Sequence, residues 1–164
     1  MSYQSVPKRY APKALNKKDS KQQHKELKKS RKLYKKGLYY TRKKLNTFKS
    51  KPSGHITRAR KLYNIKNIIP SNKLSKKTGC SLNALKKIVN KGEGAYFSSG
   101  SRPNQTAQSW GYARLASAIT GGKASAVDFS ILKLGCSKNS KALRLAKRSN
   151  HLNRGTRRVA KVKL

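Results

Sequence analysis

The 164-residue chain carries 42 Lys or Arg against 4 Asp or Glu, a formal charge of +38. An excess of that size repels itself in a compact state and draws polyanions from solution, so an acidic partner is implied. The acids, Asp19, Glu26, Glu93 and Asp128, are too few for paired-carboxylate catalysis or an all-oxygen magnesium or calcium site, and no run approaches the roughly 18 apolar residues a membrane-spanning helix needs.

The N-terminus is basic but leads into no apolar run, so no secretory signal is read. Cys80 and Cys136 lack the close spacing of a zinc site and are expected to be two reduced thiols of a protein made inside a cell. Gly122-Lys123 is followed by Ala124 and lacks the spacing of a phosphate loop. His24, His55 and His151 lie in basic surroundings far apart in sequence, and the Ser98-Ser99 pair has no nearby His. No catalytic residue, metal ligand, cofactor site or small-molecule substrate is expected.

Charge divides the chain. The net charges of residues 1–53, 54–91, 92–137 and 138–164 are +16, +10, +2 and +10, and the nearly neutral island is also the most apolar block. The division predicts a basic N-terminal arm over 1–53, a compact helical domain over 54–137 and a basic C-terminal tail over 138–164. The fold class is mainly α: a small helical domain with a helix-turn-helix-like hairpin, flanked by extended polybasic tails.

In chain order, the arm interleaves Leu27, Leu33, Tyr34, Tyr39, Tyr40 and Phe48 with cations at poor helical periodicity. It is either solvated and disordered or ordered by an acidic surface. Ile56, Ala59, Leu62 and Tyr63 recur at helical spacing and predict a basic amphipathic helix over 54–63. Ser71 caps a short helix ending at Gly79, and Ser81 caps another carrying Leu82, Leu85, Ile88 and Val89 to Gly92. That pair has the spacing of a helix-turn-helix, with Gly79 in the turn and Cys80 in the core. Were its second helix to enter a major groove, Asn83, Lys86 and Lys87 would face bases and Lys76 and Lys77 phosphates. The favoured reading is an ordinary helical hairpin with solvated lysines, because base readout prefers Arg, Asn and Gln and lysine is abundant throughout the chain.

Glycines at 92, 94 and 100 predict an irregular loop over 92–106 anchored by Tyr96 and Phe97. Thr106 caps a helix containing Trp110, Leu115 and Ile119, and a further helix runs from about 123 to 134, with Gly135 as its stop. Arg102 and Arg114 are the expected partners of Glu93 and Asp128. In the tail, Ala142, Leu145 and Ala146 form a thin apolar stripe among Arg144, Lys147 and Arg148, which predicts a short basic helix. Beyond Gly155, the run containing Arg157 and Arg158 alternates basic and apolar residues, as for a segment that pairs with a sheet edge or lies on a polyanion.

The stretch from Lys77-Thr78-Gly79-Cys80-Ser81 through Gly94-Ala95-Tyr96-Phe97-Ser98-Ser99-Gly100-Ser101-Arg102-Pro103-Asn104-Gln105-Thr106 to Ser109-Trp110-Gly111-Tyr112 and Gly121-Gly122-Lys123-Ala124 resembles a domain of small basic virion-associated proteins in large double-stranded DNA viruses, the chlorella-virus-like phycodnaviruses. The similarity covers residues 74–136. It implies a virion setting, with synthesis in the host cell interior, and carries over no functional residue.

Together these readings predict a non-enzymatic virion structural protein, a minor capsid component whose arms bind acidic capsid proteins or the genome. A DNA-condensing packaging protein and a helix-turn-helix DNA-binding regulator are the alternatives. The expected polyanion-binding residues are Lys76, Lys77, Asn83, Lys86, Lys87, Arg144, Lys147, Arg148, Arg157 and Arg158. Gly79, Tyr96, Phe97, Arg102 and Trp110 are the expected structural ones, and residues 54–137 are expected to fold alone.

Overall fold

The lysine-rich N-terminal block contains a 19-residue helix. In the computed structural model, which describes residues 4–156 and 158–164, α1 runs over Lys17–Lys35 and starts where the Asn16 side chain accepts the Asp19 backbone N–H at 2.8 Å. Its inward face is Asp19, Gln23, Glu26, Leu27 and Ser30, so the buried stripe is mostly polar. The inward acids are satisfied there. Glu26 accepts the Tyr40 hydroxyl at 2.9 Å and the Lys43 N–H at 3.0 Å, and Asp19 accepts the N–H and hydroxyl of Thr47.

The protein is mainly helical. After α1 come α2 (Gly54–Tyr63), α3 (Asn72–Thr78), α4 (Leu82–Ser98), α5 (Ala107–Ile119), α6 (Lys123–Val127), α7 (Phe129–Gly135) and α8 (Lys141–His151). Two short strands, β1 (Ser5–Pro7) and β2 (Lys161–Lys163), pair antiparallel with Val6 opposite Val162. Of the two uses open to the alternating C-terminal run, the structure shows sheet pairing. Only Arg158 of its two arginines can be placed, since Arg157 lies outside the described residues.

The described residues divide into two units, and the boundaries differ from an arm, domain and tail. The first takes those of Met1–Lys51, Glu93–Trp110 and Arg158–Leu164; the second takes those of Pro52–Gly92 and Gly111–Arg157. The N-terminal block and the end of the tail are thus structural parts of one unit. The start of the tail belongs to the core of the other.

In the first unit a small cluster of Val6, Tyr10 and Leu27 packs with Trp110, Val162 and Leu164. In the second, Ile65, Ile68, Leu74, Leu85, Ile88, Leu115, Ile119, Leu132, Leu143 and Ala146 form the larger core. Cys80 and Cys136 lie inside it as a disulfide, 56 residues apart, where an antiparallel bridge joins the chain before α4 to the end of α7. This corrects the expectation of two reduced thiols.

The three predicted caps form: the Ser71, Ser81 and Thr106 hydroxyls accept the N–H groups of Leu74, Ala84 and Ser109, and Ser140, which was not predicted, caps α8 by accepting the Leu143 N–H. The expected loop over 92–106 is shorter than the glycines suggest, because α4 continues to Ser98. Gly92 serves helix packing there: a Cβ on it would lie 2.6 Å from the Gly111 Cα of α5. The single helix expected over 123–134 is two, with Asp128 between them. Fully buried, Asp128 receives Arg114 Nε at 2.8 Å and Nη2 at 2.7 Å, with Lys91 Nζ at 3.5 Å.

Candidate polyanion-binding surfaces

The outward face of α1 is a row of cations. Lys18, Lys21, Lys25, Lys28, Lys32 and Lys35 are exposed at intervals of three and four, and Lys17 and Lys29 flank them. A 19-residue helix is about 28 Å long, which matches about eight phosphates of one DNA strand at ~3.4 Å each. The polar inward stripe keeps this row in place: each acid that could neutralise it from within the helix points the other way.

Where α1 ends, the chain reverses. The Leu38 N–H reaches the Leu33 carbonyl at 3.0 Å and the Gly37 N–H the Tyr34 carbonyl at 2.9 Å, with Gly37 at φ 78°. That six-to-one and five-to-two pair needs a left-handed residue at Gly37. It returns Tyr39 beside Tyr34, with ring centroids 6.1 Å apart, and Tyr39 also meets Phe97 at 5.1 Å.

The next residues are held by the most distinctive sequence motif. Arg42, 7% exposed, donates to the Ser30 hydroxyl, the Tyr96 carbonyl and the Ser101 hydroxyl at 2.7–2.8 Å. Burial lowers its pKa below the usual guanidinium value, opposed by the neighbouring Tyr96. Asn104, at φ 61°, accepts the Leu45 N–H at 2.7 Å and donates to the carbonyls of Leu45 and Phe48. The Ser-Gly-Ser-Arg-Pro-Asn run is therefore a clamp on residues 42–48.

Of the expected structural residues, Tyr96 is fully buried and Phe97 half-buried against it. Trp110 is half-buried, edge-on to Tyr10 at 5.7 Å, and Gly79 forms the hairpin turn at φ 75°. Arg102 is exposed, so the structure gives it no core role. Asp128 does take Arg114, as expected.

In the second unit the sequence-predicted polyanion-binding residues are on the outside. Lys76 and Lys77 are exposed at the end of α3, Asn83, Lys86 and Lys87 on the first turns of α4, and Arg144, Lys147 and Arg148 on the outer face of α8. The hairpin turn lies against the start of α8: a Cβ on Gly79 would lie 2.6 Å from the Ser140 Cβ at its cap. Asn83 and Lys87 also border a shallow concavity of about 220 Å³ with Ser130, Ile131 and Leu134 of α7. The exposed start of the hairpin's second helix therefore has α7 beside it, with Leu134 90% exposed.

The lysine row on α1 and the aromatic return at Tyr39 are what sequence reasoning missed. The signal for the first was the three-and-four spacing of lysine itself. Among the described residues no group of His, Cys, Asp or Glu could hold a metal ion, and no helix is long and apolar enough to cross a membrane. No curated protein and no solved structure matches the chain. A family model described as a family of unknown function, DUF5824, matches residues 7–144, which takes in α1, both hairpin helices and the start of α8, and the chain belongs to that family.

Proposed function

We propose that the chain is a non-enzymatic structural protein of a virus particle that binds the genome through its phosphates and condenses it. The observation that carries this reading is the disposition of charge. Asp19, Glu26 and Asp128 are buried and bonded within the fold, while the lysines of α1 and the cations of α3, α4 and α8 stand exposed. Cations so placed need an external anion. A duplex supplies one charge per ~1.7 Å, enough to meet +38 along a short contour, whereas an acidic protein would have to present a comparable number of carboxylates. The folding of residues 17–48 also weakens the case for an arm threading between capsid proteins, because those residues are held within one unit.

A minor capsid role is the second reading, favoured by the exposed Leu134 beside Ile131 and Lys87. Base readout by the hairpin has less support, since α7 flanks Asn83.

Fractionation of virus particles tests the choice. Particles are opened, treated with nuclease, washed with salt, and the chain is quantified in shell and genome fractions. Release with the genome is expected. Stoichiometric retention in emptied shells would overturn the condensing role in favour of a capsid one, and absence from particles would sink both.

A further inference from the structure

The first unit exposes aromatic rings that its core does not use. Tyr39 is 73% exposed, Leu38 54% and Tyr34 37%. Other aromatic residues of the unit have internal roles: Tyr10 and Trp110 pack the small cluster, Tyr96 holds Arg42, and the Tyr40 hydroxyl donates to Glu26. Tyr34, Tyr39 and Phe97 instead form a chain of rings at 6.1 and 5.1 Å. The chain reversal at Gly37 creates this placement, and the Arg42 and Asn104 bonds fix the strand that follows.

The surroundings decide what such a surface fits. Lys32, Lys35, Lys36, Lys43 and Lys44 are exposed on either side in sequence, and there is no acid between Glu26 and Glu93. A basic partner or a neutral apolar one would leave those cations uncompensated. A single nucleic-acid strand offers flat unpaired bases to the rings and phosphates to the lysines at once. Duplex DNA cannot do this, because its bases are already stacked.

We propose that Tyr39, supported by Tyr34 and Phe97, is a stacking platform for unpaired bases, so that this unit holds single-stranded nucleic acid through both bases and backbone. The inference rests on the nucleic-acid reading above and adds a strand preference to it.

The test measures the full chain by fluorescence anisotropy against three labelled probes: a 12-nucleotide oligothymidylate, the same length of abasic strand, and a duplex. Stacking is worth about 1–3 kcal/mol per base, so the wild type should bind the thymidylate roughly fivefold or more tightly than the abasic strand. Tyr39→Leu should remove that preference and leave abasic and duplex binding within about twofold. Phe97→Leu should reduce it. Equal wild-type affinity for thymidylate and abasic strand, as for a platform that docks protein, would overturn the proposal, as would a preference that survives Tyr39→Leu. The parent reading is checked in the same assay: binding of duplex and abasic strand that falls steeply with salt leaves it standing when stacking fails, whereas flat salt dependence on all probes sinks both.

Discussion

Arg42 and Tyr96 are joined in three ways. The guanidinium carbon lies 3.8 Å from the Tyr96 ring centroid, Nη1 donates to the Tyr96 carbonyl at 2.7 Å, and the Arg42 backbone N–H donates to the Tyr96 hydroxyl at 3.0 Å. One cation of 42 is thus withdrawn from the surface to tie the N-terminal block to the end of α4.

Arg42→Lys removes the planar fork that serves Ser30, Tyr96 and Ser101 together while keeping the charge. A lysine cannot make all three bonds, and buried acceptors are left unpaired. A loss of about 2–4 kcal/mol is expected, read as a lower urea midpoint by circular dichroism. A loss below about 0.5 kcal/mol would show that the network does not hold the unit.

Asn104→Ala tests the clamp of the distinctive motif. It deletes one acceptor and two donors and leaves a residue with a Cβ at φ 61°, where Asn is favoured over Ala. The expected cost is about 2–4 kcal/mol. Proteolysis should also begin within 42–48, because that segment loses its tether; an unchanged cleavage pattern would argue against it.

How much of this was legible in the sequence varies by residue. The hairpin, its Ser71 and Ser81 caps and the helix over 54–63 follow from hydrophobic spacing, and they form as read. Helix α1 was hidden because hydrophobic periodicity finds an apolar stripe, and its buried stripe is Asp19, Gln23, Glu26 and Ser30 around one leucine. Gly92 misled for a different reason: a glycine that ends a helix and one that lets two helices touch look alike until Gly111 is seen opposite. The partner of Arg42 was out of reach too, since residues 54 positions apart share no local pattern. Lys86, Lys87 and Arg144 were readable as exposed cations, but the lysine row of α1 depended on a helix that was not predicted.

The disulfide gives a third prediction. Linking Cys80 to Cys136 closes a loop of 56 residues, for which the chain-entropy model gives about 4 kcal/mol. Reduction, or the Cys80→Ala/Cys136→Ala double substitution, should lower the melting temperature by a corresponding amount. Two titratable thiols in the denatured, unreduced protein would show that the bond does not form.

A fragment of residues 54–137 should not fold cooperatively, contrary to the expectation from charge. It lacks Ala142, Leu143 and Ala146, which are at most 3% exposed in the larger core. A fragment extended to residue 157 restores them and should melt as a cooperative helical unit. In the full chain Trp110→Ala should cost about 1–3 kcal/mol, less than a fully buried tryptophan, because Trp110 is half-buried. A sharp melt of the shorter fragment would show that α8 is dispensable to this core.

Tyr63 links stability to alkaline pH. Its hydroxyl is buried and donates to the Ile119 carbonyl, and burial raises its pKa well above the ordinary value. Above about pH 10 the unfolded chain loses this proton while the folded chain keeps it. The folded state then binds more protons than the unfolded one, so its stability falls as pH rises, by up to about 1.4 kcal/mol per pH unit from this group. Tyr63→Phe should cost about 1 kcal/mol at pH 7, where only the hydrogen bond is lost. At pH 11 the variant escapes the penalty, so the gap in melting temperature between the two proteins should shrink or invert. A gap that stays constant from pH 7 to pH 11 would show that Tyr63 does not titrate on unfolding and that its hydroxyl is not held in the core.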